Sequence, residues 1–65
     1  MKDSVGNEVD FSDLEDGVVV SDGEETFEVI DIDVVNQTIT ISSYDDDKDY
    51  IVAVDSEKWN ELYIC

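Results

Sequence analysis

The sequence predicts a small all-β domain, mainly antiparallel, with five short strands and one or two helical turns. Three observations predict it. Apolar residues come in blocks dominated by Val and Ile, as in Val18-Val19-Val20, Val29-Ile30, Val34-Val35 and Ile51-Val52. Such β-branched side chains suit a pleated, half-buried surface. Ile30, Ile32 and Val34 alternate with Asp31 and Asp33, the period of two expected of a strand with one wet face. Turn-forming pairs such as Asp22-Gly23 separate the blocks at short intervals. In a chain of 65 residues, a curled barrel buries more per residue than an open sheet, which leaves two edges and a wet face.

Each element has its own warrant. Val9 and Phe11 are expected on an incoming strand. Ser12-Asp13-Leu14-Glu15 has the capping-box pattern, and Gly17 stands where a helix C-terminus takes glycine. Only one turn fits between them, so a tight helical or 3₁₀ turn is expected there. Val18 to Val20 form the outgoing strand, and Asp22-Gly23 turns the chain toward Phe27. The strand from Phe27 to Val35 is the clearest. Phe27 and Val29 fall on the parity opposite to Ile30, Ile32 and Val34, and a bulge or sharp bend near Val29-Ile30 reconciles the two. Asn36-Gln37 is read as a two-residue hairpin loop. Thr38-Ile39-Thr40-Ile41 returns with its isoleucines inward. Tyr44 leads into the acidic loop Asp45-Asp46-Asp47-Lys48-Asp49, and Tyr50 to Val54 is the next strand. Asp55 or Ser56 caps a short helical segment with Trp59, Leu62 and Tyr63 on one side. No linker, repeat or proline interrupts the chain, so residues 1–65 are read as one domain.

The order of these elements resembles the SH3-like barrel group, especially the Tudor and KOW domains, from Val9 to about Leu62. The resemblance rests on the Asp22-Gly23 turn, the strand Phe27-Glu28-Val29-Ile30-Asp31-Ile32 and the arm Ile39-Thr40-Ile41-Ser42-Ser43-Tyr44-Asp45. It implies a five-stranded SH3-like barrel. A Tudor likeness further implies an aromatic cage at the loop ends that takes a methylated or otherwise cationic peptide through cation–π attraction. Tyr44 and Tyr50, which flank the acidic loop, are its candidates, while Phe27 and Trp59 are expected in the core. The basic nucleic-acid-binding residues usual in the group are absent here, so direct nucleic-acid binding is not expected.

Charge constrains function most. Nineteen carboxylates stand against three lysines, with no arginine or histidine, for a net charge of -16. Self-repulsion at this density costs stability, so solubility alone explains it poorly. A negatively charged working surface is the expectation. Residues i and i+2 of a strand share a face about 6.6–6.8 Å apart, which places Asp31 and Asp33 together, and Asp45, Asp46, Asp47 and Asp49 continue the array. Nucleic acid carries one phosphate per ~3.4 Å of axial rise on each strand, so such a row approximates a phosphate row in spacing and sign. The expected partner is therefore a basic nucleic-acid-binding protein, inhibited or sequestered by a DNA mimic. A viral or phage-encoded inhibitor suits this size and charge. The alternatives are the Tudor-like adaptor and a structural component of a larger assembly, acidic for solubility or high salt.

Other classes find little support. Asp45, Asp47 and Asp49 alternate like the first ligands of an EF-hand loop, but Tyr50 replaces the required glycine and Ser56 the bidentate glutamate. No dedicated metal site and no cofactor are expected. Without histidine, and with Cys65 as the only cysteine, the usual bases and nucleophile pairs cannot be assembled, so an enzyme is not expected. Cys65 has no partner for an intramolecular disulfide, and no apolar run approaches the ~20 residues of a membrane span. A soluble cytoplasmic protein is expected, in the host cytoplasm if the gene is viral. Two bodies of this charge repel, and the oligomeric state is left open.

Overall fold

The computed structural model describes residues 1–65. It is all-β: β1 (Val19–Ser21), β2 (Thr26–Asp33), β3 (Thr38–Ser43), β4 (Asp49–Ala53) and β5 (Tyr63–Ile64) form one sheet in the order β4-β3-β2-β1-β5, every neighbouring pair antiparallel. A 3₁₀ turn (Phe11–Asp13) precedes β1, and the short helix α1 (Glu57–Glu61) joins β4 to β5. A meander closed by a last strand returning to the first is compatible with the SH3-like barrel.

The core lies on one face of the sheet. Val20, Phe27, Val29, Ile39, Ile41 and Val52 point inward from the strands, and Met1, Leu14, Trp59 and Leu62 close the ends. Trp59 lies with its ring centroid 6.3 Å from that of Phe11. Two buried serines have partners rather than orphaned hydroxyls. Ser21 Oγ donates to the Glu25 carbonyl, and Ser43 Oγ donates to Glu25 Oε2. Ile41 is wholly buried and central, so Ile41→Ala is expected to cost about 2–5 kcal/mol. That is a large share of the ~3–10 kcal/mol available to a chain of this size. Urea unfolding followed by Trp59 fluorescence reads the change; a loss below 1 kcal/mol would place Ile41 outside the core.

The expected bulge is present. Val29 pairs with Ile41 and Asp31 with Thr40, leaving Ile30 as the extra residue on β2. Phe27 and Val29 on one side of the bulge, and Ile32 on the other, thereby turn to the same face. The cost falls on Ile30, which is exposed, so the expectation that Ile30 and Val34 share the inward face with Ile32 is corrected. Val34 leaves the sheet altogether. Asp33 Oδ1 accepts the N–H groups of Val35 and Asn36, each at 3.1 Å, which ends β2 early. The hairpin loop is consequently the four residues 34–37 rather than Asn36-Gln37 alone, with Gln37 in the left-handed region at φ 54°. The Asp22-Gly23 turn likewise spans residues 22–25, and Gly23 takes φ +94°.

The ends of the chain differ more from expectation. Val9 and Phe11 are not on a strand; Lys2 and Glu8 make one isolated bridge and Phe11 opens the 3₁₀ turn. The capping box does not form either, because Asp10 occupies the cap and its side chain makes no cap hydrogen bond. The fifth strand is instead β5, which pairs Val20 with Ile64 and Ser21 with Tyr63. Tyr63 is thus a half-exposed strand residue and leaves the helical face to Trp59 and Leu62. Ser56 caps α1 as expected, its Oγ accepting from the Trp59 N–H at 3.4 Å.

Candidate functional site

Strand register defines an acidic outer face. Paired residues of antiparallel strands point to the same side, and Val29, Ile41, Ile39 and Val52 point into the core. The alternate residues therefore face out. They form the rows Glu28–Ser42–Asp49, Asp31–Thr40–Ile51 and Asp33–Thr38–Ala53 across β2, β3 and β4. Asp31, Asp33 and Asp49, expected to act together, share this face. Ile51, 75% exposed, gives it an apolar centre. Glu28 belongs here too and was not anticipated. Glu28 and Asp31 are three apart and would lie on opposite faces of a regular strand; the bulge at Ile30 brings them to one side. The parity break at Val29-Ile30 held that signal.

The β3–β4 loop carries the other acids, and they do not all face one way. Asp45, Asp46 and Asp47 are exposed, with Asp47 in the left-handed region at φ 57°, a conformation aspartate tolerates better than most residues. Asp46 is turned toward the opposite side of the hairpin. Its Oδ1 accepts from the Lys48 N–H at 3.0 Å and its Oδ2 from the Tyr50 hydroxyl at 3.0 Å. The Lys48 N–H is the main reason its carboxyl titrates below the usual range, and the Asp46 acceptor in turn raises the Tyr50 phenol. Asp33 is likewise held below its usual range, chiefly by the Asn36 N–H and then the Asn36 side-chain amide. Asp33 and Asp46 thus serve their own turns besides contributing charge.

The two tyrosines are exposed but are not brought together. Tyr44 lies over the outer face, its hydroxyl 3.4 Å from Glu28 Oε1. Tyr50 pairs with Ile41 on the inner side and sets its ring edge-on to Phe27, with centroids 6.0 Å apart. An aromatic cage made from Tyr44 and Tyr50 is therefore not assembled. Instead, Tyr50 and Phe27 line a shallow cleft of about 160 Å³ with Asp22, Glu25 and Lys58. Asp22 is its most organised carboxylate. Oδ1 accepts the Glu24 and Glu25 N–H groups at 2.9 Å, and Oδ2 lies 2.7 Å from Lys58 Nζ. The Glu25 N–H first, and then the Lys58 ammonium, hold its carboxyl well below the usual carboxylate range. A depressed folded-state value means that the stabilisation by Asp22 is fully present above pH ~4 and is lost as the pH falls through that depressed value.

No group of three or more potential ligands converges on a metal position, and no helix is long and apolar enough to cross a membrane. Most carboxylates are exposed, so salt should screen their repulsion. Raising NaCl from 10 to 500 mM is expected to add ~1 kcal/mol, or ~4–8 °C in Tm, for a domain of this size. A flat or falling Tm would show that repulsion is not what limits stability. Unfolding at 150 mM salt would instead mark a protein adapted to molar salt.

Comparison with protein families, with curated proteins and with solved structures gave no match. The fold and the site define a small all-β domain that carries an ordered acidic face.

Proposed function

We propose that this protein is a non-catalytic acidic binding protein that sequesters or inhibits a basic nucleic-acid-binding protein by presenting carboxylates in place of phosphates. The observation that supports this reading most is the placement of Asp31, Asp33, Asp49 and Glu28 on one side of a hydrogen-bonded sheet, around exposed Ile51. A charge that served solubility alone would have no need of a rigid array. An oriented field steers a basic partner and speeds its association, and an apolar centre adds contact area. The protein acts in this reading in the cytoplasm, that of a host cell if the gene is viral, and touches no nucleic acid itself.

The adaptor reading loses its main support, because its two tyrosines lie on opposite sides of the β3–β4 hairpin. The test is affinity capture from the proteins that a DNA–cellulose column retains. The immobilised wild-type domain is expected to hold a basic protein that rising salt releases. The variant with Asp31, Asp33, Asp45, Asp46, Asp47 and Asp49 all changed to Asn is expected to hold none of it. Retention of the same protein by both would contradict the proposal.

A further inference from the structure

We infer that the open edge of β4 takes an extended segment of the basic partner as a further strand, antiparallel to β4, with a basic residue beside Asp49 and an apolar one beside Ile51. The inference rests on the sequestration reading and adds to it the part of the partner that is held.

The sheet has two ends, and one of them is closed. At the β5 end Lys2 bridges Tyr63, and the Ile64 N–H donates to the Lys2 carbonyl at 2.8 Å. At the other end β4 has a neighbour on one side alone. The Ser43 N–H donates to the Lys48 carbonyl and the Val54 N–H to the Gln37 carbonyl, and the register between these two bonds is unbroken. Bonded and non-bonded pairs alternate along an antiparallel ladder. Tyr50 and Val52 therefore bond to β3, while Asp49, Ile51 and Ala53 turn their N–H groups outward. The Asp49 and Ile51 carbonyls point the same way; that of Ala53 is taken by Ser56. Such an edge is a template for another strand, and proteins blunt it with lysine, proline or a bulge. Asp49–Ala53 has none of these. Two large side chains also stand exposed on it, Ile51 and Tyr50.

Charge selects the occupant. A second copy of the chain would bring another net charge of -16 to this edge. Repulsion turns that copy away, and the same field draws in a basic segment. Paired residues share a face, so an added strand lengthens the rows Glu28–Ser42–Asp49 and Asp31–Thr40–Ile51 by one position each. The residue beside Asp49 joins the acidic face, where Lys or Arg is matched, and the residue beside Ile51 covers its exposed side chain. Backbone hydrogen bonds then supply affinity, and these side chains supply specificity.

The test uses the unaltered domain at 150 mM salt and the fluorescein-labelled peptide Lys-Lys-Thr-Val-Thr-Lys-Lys-amide. Two further peptides carry one backbone N-methyl group each, on Val or on the Thr that follows it, with charge and side chains unchanged. With Val beside Ile51, the Val N–H faces β4 and that of the following Thr faces away. N-methylation of Val is expected to weaken binding at least ~10-fold, and that of Thr no more than ~3-fold. At saturation with the unmethylated peptide, the Ile51 amide is expected to exchange with solvent at least ~10-fold more slowly, because its N–H then donates to the peptide. No binding of the unmethylated peptide, a loss no greater for Val than for Thr, or unchanged Ile51 exchange overturns the edge. The acidic-face reading stands or falls separately, on capture by the Asp→Asn variant.

Discussion

Deleting Ile30 is expected to remove the bulge and leave the domain folded. Ile30 is the single unpaired residue of the bulge, between the Val29–Ile41 and Asp31–Thr40 pairs. Its removal sets Asp31 directly after Val29, so Phe27, Val29 and Ile32 alternate with Glu28, Asp31 and Asp33 in an unbroken period of two, in phase with β3. Asp31 and Asp33 would still face out and Ile32 in. What is lost is the local bend and twist of the bulged strand, at a cost of ~0.5–3 kcal/mol. The substitution Ile30→Thr is the control: it keeps the extra residue, and Ile30 is 43% exposed, so stability should change by less than ~1 kcal/mol. Far-UV circular dichroism and a ¹H–¹⁵N correlation spectrum distinguish the two. A collapsed, undispersed spectrum for the deletion would show that the bend at Ile30 is itself required for folding.

That prediction also marks what the sequence discloses. Alternation along Ile30 to Val34 gives a strand, and the conflict with Phe27 and Val29 gives the bulge. Both follow from the period of two, and so does the shared face of Asp31 and Asp33. Which residue becomes the extra one does not follow, because Ile30 and Ile32 are the same residue type. Pairing with Thr40 decides it. The β5 strand was hidden for a similar reason. Tyr63-Ile64 is too short to show a period, and its strand character comes from the β1 edge left open to it. Local turn chemistry misled in a third way. Asp33 ends β2 by capturing two N–H groups, and Asn36-Gln37 looked like a complete loop because a side chain's reach over its neighbours is not periodic. Lys58 was legible only as a helix residue. Its partner Asp22 is 36 positions away, and no spacing rule joins them.

Neutralising the six aspartates is expected to remove partner binding without harming the fold. The change Asp→Asn takes the net charge from -16 to -10 and so relieves repulsion. Asparagine keeps one side-chain oxygen for the turn N–H groups of Asp33 and Asp46 but gives up the second acceptor, which the Asn36 amide and the Tyr50 hydroxyl use; it tolerates the left-handed conformation at position 47. The lost hydrogen bonds and the relieved repulsion offset each other, so stability should change little. Asp46 faces the other side of the hairpin, so five exposed charge contacts at ~0.5–1 kcal/mol each amount to roughly 2.5–5 kcal/mol, or a loss of affinity of about 100-fold or more. Ile51→Ala should add a smaller loss that does not depend on salt, since its contact is apolar. Losses confined to the loop positions Asp45, Asp46 and Asp47 would shift the site from the sheet to the hairpin end.

The central claim is that this acidic face takes the place of nucleic acid on a basic protein, and competition tests it most directly. The captured partner is bound to a fluorescently labelled DNA duplex, and the domain is titrated in while anisotropy is followed. The account predicts that the wild-type domain displaces the duplex fully, with an apparent affinity that falls as salt rises. The six-site Asn variant should be at least ~100-fold weaker. A ternary complex in which domain and duplex bind together, or equal displacement by the neutralised variant, would contradict it.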